Sequence, residues 1–361
     1  MDSHKSIHGF CANVPLGSSS IEQVSAPCVH QATTQIIYAD CALALKTLPD
    51  QSVDLVITSP PYANQRHHTY GGICADQYVE WFLPIADELF RVLKPTGSFV
   101  LNIKEHAVNG ERHTYVMSLI IEMRKRGWFW TESYIWHKRN ACPGKWPNRL
   151  RDAWERCEHF TKQKKFSMYQ DAVMVPMGDW CHSRLRSLKE RDRIYRTSNT
   201  NSGFGKKTAN WVGRKLAYPD NVLYLPTENR NQGHSAVFPE RLPEWFIKLF
   251  TKPGDTVLDP FMGSGTTLKV SQSLERHSIG IDIRAEYCTL ATGRLGLGEY
   301  HKGLPAIGSN THIPNTNVHT SLGIKGIKED KAPRQSRPPL NKNRPCLSRK
   351  GSNAESKTHE L

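Results

Sequence analysis

Little in this chain is apolar for long. No run approaches the roughly 18 apolar residues that would cross a bilayer as a helix, and no signal-peptide pattern opens the sequence. A soluble, cytoplasmic protein without a membrane partner is expected. Paired cysteines are lacking too. Nine cysteines are scattered over 361 residues with no C-x-x-C spacing, which argues against a disulfide framework and for reduced thiols. Cys142, Cys157, His159, Cys181 and His182 can be gathered on paper into a zinc set. Their spacing follows no known ligand pattern, so no metal site is expected. Acid is in short supply: 34 Asp and Glu face 48 Lys and Arg, a formal charge of +14. That excess points to a polyanionic partner, most simply nucleic acid.

What is present is an α/β rhythm. Ile36-Ile37-Tyr38 reads as a short strand ending at Asp40, and Val53–Thr58 as a second strand. From Tyr78 to Leu93, apolar residues recur at helical spacing: Tyr78, Phe82, Ile85, Leu89 and Val92. Lys94-Pro95-Thr96-Gly97 stops that helix and Ser98–Ile103 starts the next strand. The rhythm lapses over 161–233, where Lys and Arg are interleaved with Trp180, Tyr195, Phe204 and Trp211. It resumes at Pro239 with a helix carrying Leu242, Trp245, Phe246, Leu249 and Phe250, then a strand over Asp255–Asp259. Residues 1–32 are expected to form an irregular arm. Residues 301–361, basic and rich in Pro, Ser and Asn, are expected to form a disordered tail.

Two stretches carry chemistry. Residues 52–62 read SVDLVITSPPY, a strand buried on both faces that ends in a polar pair, two prolines and an aromatic ring. Proline fixes φ, lacks an N–H and keeps the preceding residue out of the helical region, so the turn is stiff and its carbonyls lack intra-turn donors. Residues 255–267 read DTVLDPFMGSGTT, a strand running through a glycine turn into a helix that begins near Thr266. Gly263 and Gly265 allow a tight turn and close approach of a ligand, and the helix start offers free N–H groups to an anion. Ser278–Ile283 is a further strand reaching Asp282, at the interval where nucleotide-binding α/β folds place an acid for ribose hydroxyls. The turn is neither G-x-G-x-x-G nor G-x-x-x-x-G-K-[ST]. A small carboxylate-bearing adenosine compound therefore suits it better than a dinucleotide or triphosphate.

TSPPY together with DPFMGSGTT closely resembles the DNA amino-methyltransferases, which methylate exocyclic amines of bases. LKPTGSFVLNI, YIWHK at 134–138 and HSAVFPERLP at 234–243 extend the likeness over roughly 35–160 and 234–295. The catalytic turn comes first, the basic variable region next and the cofactor turn last, which resembles the permuted β-type order. The resemblance implies a mostly parallel seven-stranded sheet with helices on both faces, S-adenosylmethionine as methyl donor and double-stranded DNA as substrate. It further implies catalytic and cofactor-binding halves at 33–160 and 234–300 around a target-recognition region at 161–233, and functional pairing with a restriction endonuclease. The oligomeric state is left open.

Both turns end strands, so in a parallel sheet they can share one carboxyl edge. Ser59 Oγ and the Pro60 carbonyl can then accept the two hydrogens of a target amine, with Tyr62 as a stacking face for a flipped base. By resemblance, Phe238 and Phe261 pack near the cofactor, Asp259 lies beside its methionine moiety, and Gly263, Gly265, Thr266 and Asp282 complete the cofactor set. Trp136 is a second candidate for base stacking. Members of the family with Ser-Pro-Pro-Tyr mostly modify cytosine N4, which makes N4-methylcytosine the expected product and N6-methyladenine the alternative. A cytosine-C5 enzyme would need a Pro-Cys nucleophile in its core, and Pro-Cys occurs only at Pro27-Cys28 and Pro345-Cys346. RNA and protein methyltransferases with Asn- or Asp-Pro-Pro-Tyr turns usually run cofactor turn first. An inactive DNA-binding homologue is the non-enzyme alternative.

Overall fold

The structure, a computed structural model, describes residues 32–64, 72–108, 110–141, 144–145, 148–187, 189, 196–197, 205–206, 212–227 and 238–302. The expected N-terminal arm up to residue 31, most of the expected tail and much of 161–233 lie outside the described residues. The chain divides into two units, Met1–Ser309 and Asn310–Leu361, and the second lies wholly outside them.

In chain order the first unit comprises β1 (Thr34–Tyr38), α1 (Cys41–Leu45), β2 (Val53–Thr58), α2 (Tyr78–Val92), β3 (Leu93–Ile103), α3 (Tyr115–Lys125), β4 (Phe129–Lys138) and β5 (Trp154–Thr161). Then follow α4 (Asp179–Arg186), β6 (Val222–Leu225), α5 (Arg241–Phe250), β7 (Thr256–Asp259), α6 (Thr266–Ser273), β8 (His277–Asp282), α7 (Ala285–Leu295) and β9 (His301–Lys302). Two-residue pairs make up the other described strands.

The main sheet runs β6-β4-β5-β3-β2-β7-β8-β1-β9. Only β5 is antiparallel to its neighbours, β3 and β4. The expected seven strands are thus nine. The extra pair are short edge strands in segments read as irregular: β6 lies inside 161–233 and pairs with β4, and β9 lies inside 301–361 and pairs with β1. Neither is long enough to show a period against its polar flanks. Lys94–Gly97, expected as a stop before the strand, is instead absorbed into β3, where the register against β2 shifts between Val53 and Leu55.

Strands buried on both faces need near-continuous apolar runs. β2 meets this with Val53, Leu55, Val56, Ile57 and Thr58 all buried. On one face α1, α2 and α3 cover it, with Tyr78, Phe82, Leu89, Phe99 and Phe160 in one apolar cluster. On the other, α5 contributes Leu242, Phe246, Leu249 and Phe250 to a second cluster with Leu55, Ile57 and Val257. Each fully buried side chain of this size stabilises the fold by roughly 1.5–3 kcal/mol. β2 leads through α2 to β3 on one side, and β7 leads through α6 to β8 on the other. The chain order therefore reverses between the paired strands β2 and β7. In open α/β sheets such a switch point, at the carboxyl ends of the strands, is where ligands bind.

Candidate active site

Both turns read from the sequence emerge at that switch point. Ser59 and Pro60 leave β2, and Asp259 closes the adjoining β7. Asp259 joins the two turns directly. Its Oδ1 accepts from Thr58 Oγ1 at 2.7 Å and from the Phe261 N–H at 3.1 Å, and its Oδ2 accepts from Thr267 Oγ1 at 2.6 Å. The residue before Ser59 and the second residue of α6 are thus pinned to one buried carboxylate. Burial pushes the Asp259 carboxyl up to about 6, against the pull of those three donors.

The glycine turn is shaped by its backbone. Gly263 and Gly265 both have positive φ, 51° and 77°. A Cβ on Gly265 would also lie 2.8 Å from the Ala291 Cβ of α7. Asp282, at the end of β8, accepts from the Gly263 N–H at 3.0 Å and from the Arg284 N–H at 2.9 Å. Burial raises its carboxyl to about 6, those two donors oppose the rise, and the charge of Asp259 adds to it. Arg294 of α7 braces the turn from outside, donating to Ser264 O at 2.8 Å and Ser264 Oγ at 2.9 Å. Thr266, the first residue of α6, is buried.

The Ser-Pro-Pro-Tyr turn is held by side chains instead. Ser59 is half-buried and Pro60 buried. Ser59 Oγ donates to Tyr62 Oη at 3.3 Å, and the single phenol hydrogen of Tyr62 faces two acceptors, Glu155 Oε2 at 2.8 Å and Asn102 Oδ1 at 3.2 Å. Lys138 donates to Glu155 Oε1. Burial and the Glu155 charge hold the Tyr62 phenol well above its ordinary value, so it stays a donor. Glu155 is the second residue of the antiparallel strand β5, whose start lies beside the ends of β3 and β4 at the same sheet edge.

Thr58, Thr267, Asn102, Lys138 and Glu155 were missed as site residues. Asp40 was read only as a strand end. It follows β1, whose Tyr38 lies opposite Asp282, and its carboxylate caps α1 by accepting from the Ala42 N–H at 2.9 Å. Phe261 and Phe238 are each half-buried, Phe261 against the first cluster with its ring 5.9 Å from that of Trp81, and Phe238 against the second cluster. Trp136 does not present a stacking face. It is 4 % exposed, and its indole N–H is spent on Leu225 O at 3.0 Å, because β6 pairs alongside β4 and closes over it. Of the five zinc candidates, Cys157 and His159 are described and both are buried in the sheet. The side chains of Cys142, Cys181 and His182 lie outside the described residues. Among the described residues no group of His, Cys, Asp and Glu could hold a metal ion, and no helix is long and apolar enough to cross a membrane.

A family profile described as DNA methylase, of the N6/N4 class, matches residues 53–293, which takes in both turns. The chain belongs to this family. Among curated relatives it is 30% identical over 292 residues to the Type II methyltransferase M.PvuII of Proteus hauseri, covering 74% of this chain and 85% of the relative. It is 30% identical over 271 residues to M.HpaI of Haemophilus parainfluenzae, covering 72% and 74%. It is 28% identical over 260 residues to the orphan methyltransferase M.BamHII of Bacillus amyloliquefaciens, covering 69% and 91%. Among solved structures, the PvuII cytosine-N4-specific DNA methyltransferase superposes with a TM-score of 0.55 at 27% identity, covering 73% of this chain and 87% of that one.

This DNA methylase uses S-adenosylmethionine, and its residues fit that cofactor. A carboxylate offers about four acceptor positions, and Asp282 has used two on backbone N–H groups, so it keeps capacity for ribose hydroxyls. The positive-φ glycines bring bare backbone to the same edge.

Proposed function

We propose that the protein is a site-specific DNA methyltransferase acting on the exocyclic N4 amine of a cytosine flipped out of the duplex. The observation that carries this reading is Ser59. A neutral hydroxyl, not a carboxylate, stands before Pro60-Pro61-Tyr62 at the switch point, one residue from the Thr58–Asp259 link to the cofactor turn. The 30% identical M.PvuII and its solved structure, named as cytosine-N4-specific, support the same choice of base.

The exocyclic amine is a poor nucleophile because its lone pair is delocalised into the ring. Ser59 Oγ and the Pro60 carbonyl accept its two hydrogens, which aims the lone pair and stabilises the positive charge that grows on nitrogen. Tyr62 offers its ring to the base, which is out of reach inside a duplex and must be extruded. Gly263, Gly265, Thr266 and Asp282 hold S-adenosylmethionine, with Phe238 and Phe261 packing near it and Asp259 bracing both turns. When bound, S-adenosylmethionine supplies an electrophilic methyl group. The basic stretch 161–233 serves as the target-recognition region, gripping phosphate and reading base edges. In the cell the enzyme protects host DNA against a cognate restriction endonuclease, as the Type II names of M.PvuII and M.HpaI suggest.

The deciding experiment digests DNA methylated by the purified enzyme to nucleosides and identifies the product by mass spectrometry. N4-methylcytosine is expected. N6-methyladenine as the only product overturns the choice of base.

A further inference from the structure

The hydroxyl of Ser59 can act on an amine in two opposite ways. Presenting its lone pairs, it accepts an N–H and frees the nitrogen to attack. Presenting its hydrogen, it donates to that nitrogen and ties up the lone pair. Which way it faces is decided by its neighbours. Glu155 is paired with Lys138, whose ammonium can only donate, and an ionised carboxylate can only accept. Tyr62 has one phenolic hydrogen, and of its two acceptors Glu155 is both the charged and the nearer, at 2.8 Å against 3.2 Å for Asn102. With that hydrogen spent, Tyr62 Oη is left with lone pairs only, and Ser59 Oγ donates to it at 3.3 Å. Ser59 therefore turns its own lone pairs outward.

Asn102 locks the arrangement. Its Nδ2 donates to Glu155 Oε2 at 3.2 Å and to the Arg156 carbonyl at 3.0 Å, which fixes the amide so that its oxygen, not its NH₂, faces Tyr62. Lys138 and Glu155 are largely buried, with side chains 19% and 10% exposed, so the pair is little screened by solvent. None of Lys138, Asn102 and Glu155 belongs to the Ser-Pro-Pro-Tyr turn. They arrive from β4, β3 and β5.

We propose that Glu155, with Lys138 and Asn102, is a positioning residue that acts through Tyr62 to set the direction of the Ser59 hydroxyl, so that Ser59 accepts from the target amine. This rests on the reading of Ser59 as the amine's hydrogen-bond acceptor. Glu155→Gln tests it sharply. A glutamine that turns its oxygen to Lys138 must turn its NH₂ to Tyr62 and to the Asn102 NH₂. The phenol hydrogen then loses its charged acceptor and is left to the more distant Asn102 oxygen or to Ser59 Oγ. One that turns its NH₂ to Lys138 sets donor against donor.

The experiment measures the single-turnover methyl-transfer rate on DNA, S-adenosylmethionine affinity and thermal midpoint for five proteins: wild type, Glu155→Gln, Tyr62→Phe, Ser59→Ala and the Ser59→Ala/Glu155→Gln double variant. Tyr62→Phe keeps the ring and removes only the phenol oxygen, so it stands in should Glu155→Gln fold poorly. Glu155→Gln and Tyr62→Phe are each expected to slow transfer about 10- to 100-fold, less than the roughly 10²–10³-fold expected for losing the contacting group itself. Cofactor affinity should stay within about twofold, and in the Ser59→Ala background Glu155→Gln should add less than about threefold, because its effect passes through Ser59. A purely structural role predicts full multiplication of the two losses. That outcome, or a wild-type rate in Glu155→Gln or Tyr62→Phe, overturns the proposal. A Ser59→Ala enzyme of near wild-type rate instead removes the reading of Ser59 on which the network depends.

Discussion

The two turns at the switch point are built by opposite means. The glycine turn after β7 is set by its own backbone: positive φ at Gly263 and Gly265, a carboxylate on the Gly263 N–H, and a helix starting at once. The Ser-Pro-Pro-Tyr turn after β2 is stiff in φ but is aimed by side chains from three other strands, through Tyr62, Asn102, Glu155 and Lys138. A turn that grips a cofactor needs bare backbone close to its ligand, and local glycine chemistry supplies that. A turn that polarises an amine needs hydroxyls of defined direction, and only a hydrogen-bond chain supplies that.

If the difference is real, the turns fail separately. Ser59→Ala is expected to lower turnover by about 10²–10³-fold while S-adenosylmethionine affinity barely changes. Asp282→Ala is expected to do the reverse, weakening cofactor affinity about 10- to 100-fold, as for loss of a charged hydrogen-bond acceptor, with most of the turnover kept at saturating cofactor. Rapid-quench methylation assays and calorimetric titration with the cofactor measure the two quantities. The comparison breaks if either variant loses both in equal measure.

Asp259 is the place where separate failure should stop. Asp259→Ala leaves the hydroxyls of Thr58 and Thr267 buried without their acceptor. Each costs about 1–3 kcal/mol. Stability, turnover and cofactor affinity should then fall together, by urea unfolding, methylation assay and titration. A stable Asp259→Ala protein with only one activity impaired would show that the carboxylate serves a single turn.

What was legible followed the same division. β2 and β7 announced themselves through apolar runs, and the glycine turn through Gly263 and Gly265, because each signal lies within a dozen residues. Glu155, Asn102 and Lys138 were illegible as site residues because they meet only through β5, which places Cys157 beside Asn102 and Glu155 beside Trp136. Nothing in the stretch Trp154–Thr161 says which strands it will pair with, or that it runs against them. Trp136 could be read either as a stacking face or as core for the same reason: a buried and an exposed tryptophan look alike until β6 is laid beside it. Four residues, Val222–Leu225, were too short to stand out from a basic segment.

A smaller effect sharpens the backbone half of the comparison. Gly265→Ala combines a φ of 77° with a Cβ 2.8 Å from Ala291 Cβ, whereas Gly254→Ala has a φ of 86° and open space around its Cβ. Both carry conformational strain of about 1–3 kcal/mol, and only the first adds a clash with α7. Urea unfolding should therefore rank Gly265→Ala as the less stable of the two. Equal losses would mean that α7 yields and that φ alone shapes the turn.

The smallest expected effect is a slope. Asp259 and Asp282 both titrate near 6 in the fold, chiefly through burial, against an ordinary value of 3.8. A raised carboxyl means that the folded state binds more protons than the unfolded chain between those values. Stability from these groups is thus fully present below about pH 3.8 and is lost as pH rises through 6. Between about pH 5 and 7, each group should lower the stability of the cofactor-free protein by about 1–2 kcal/mol. Other titrating groups contribute in the same interval, so the measurement is the difference between wild type and Asp282→Asn, whose carboxamide does not titrate. Urea midpoints taken across that interval should fall less steeply for the variant. Parallel slopes would mean that Asp282 is solvated well enough to ionise as in the unfolded chain. Its two backbone donors would then govern its charge more than the burial around it.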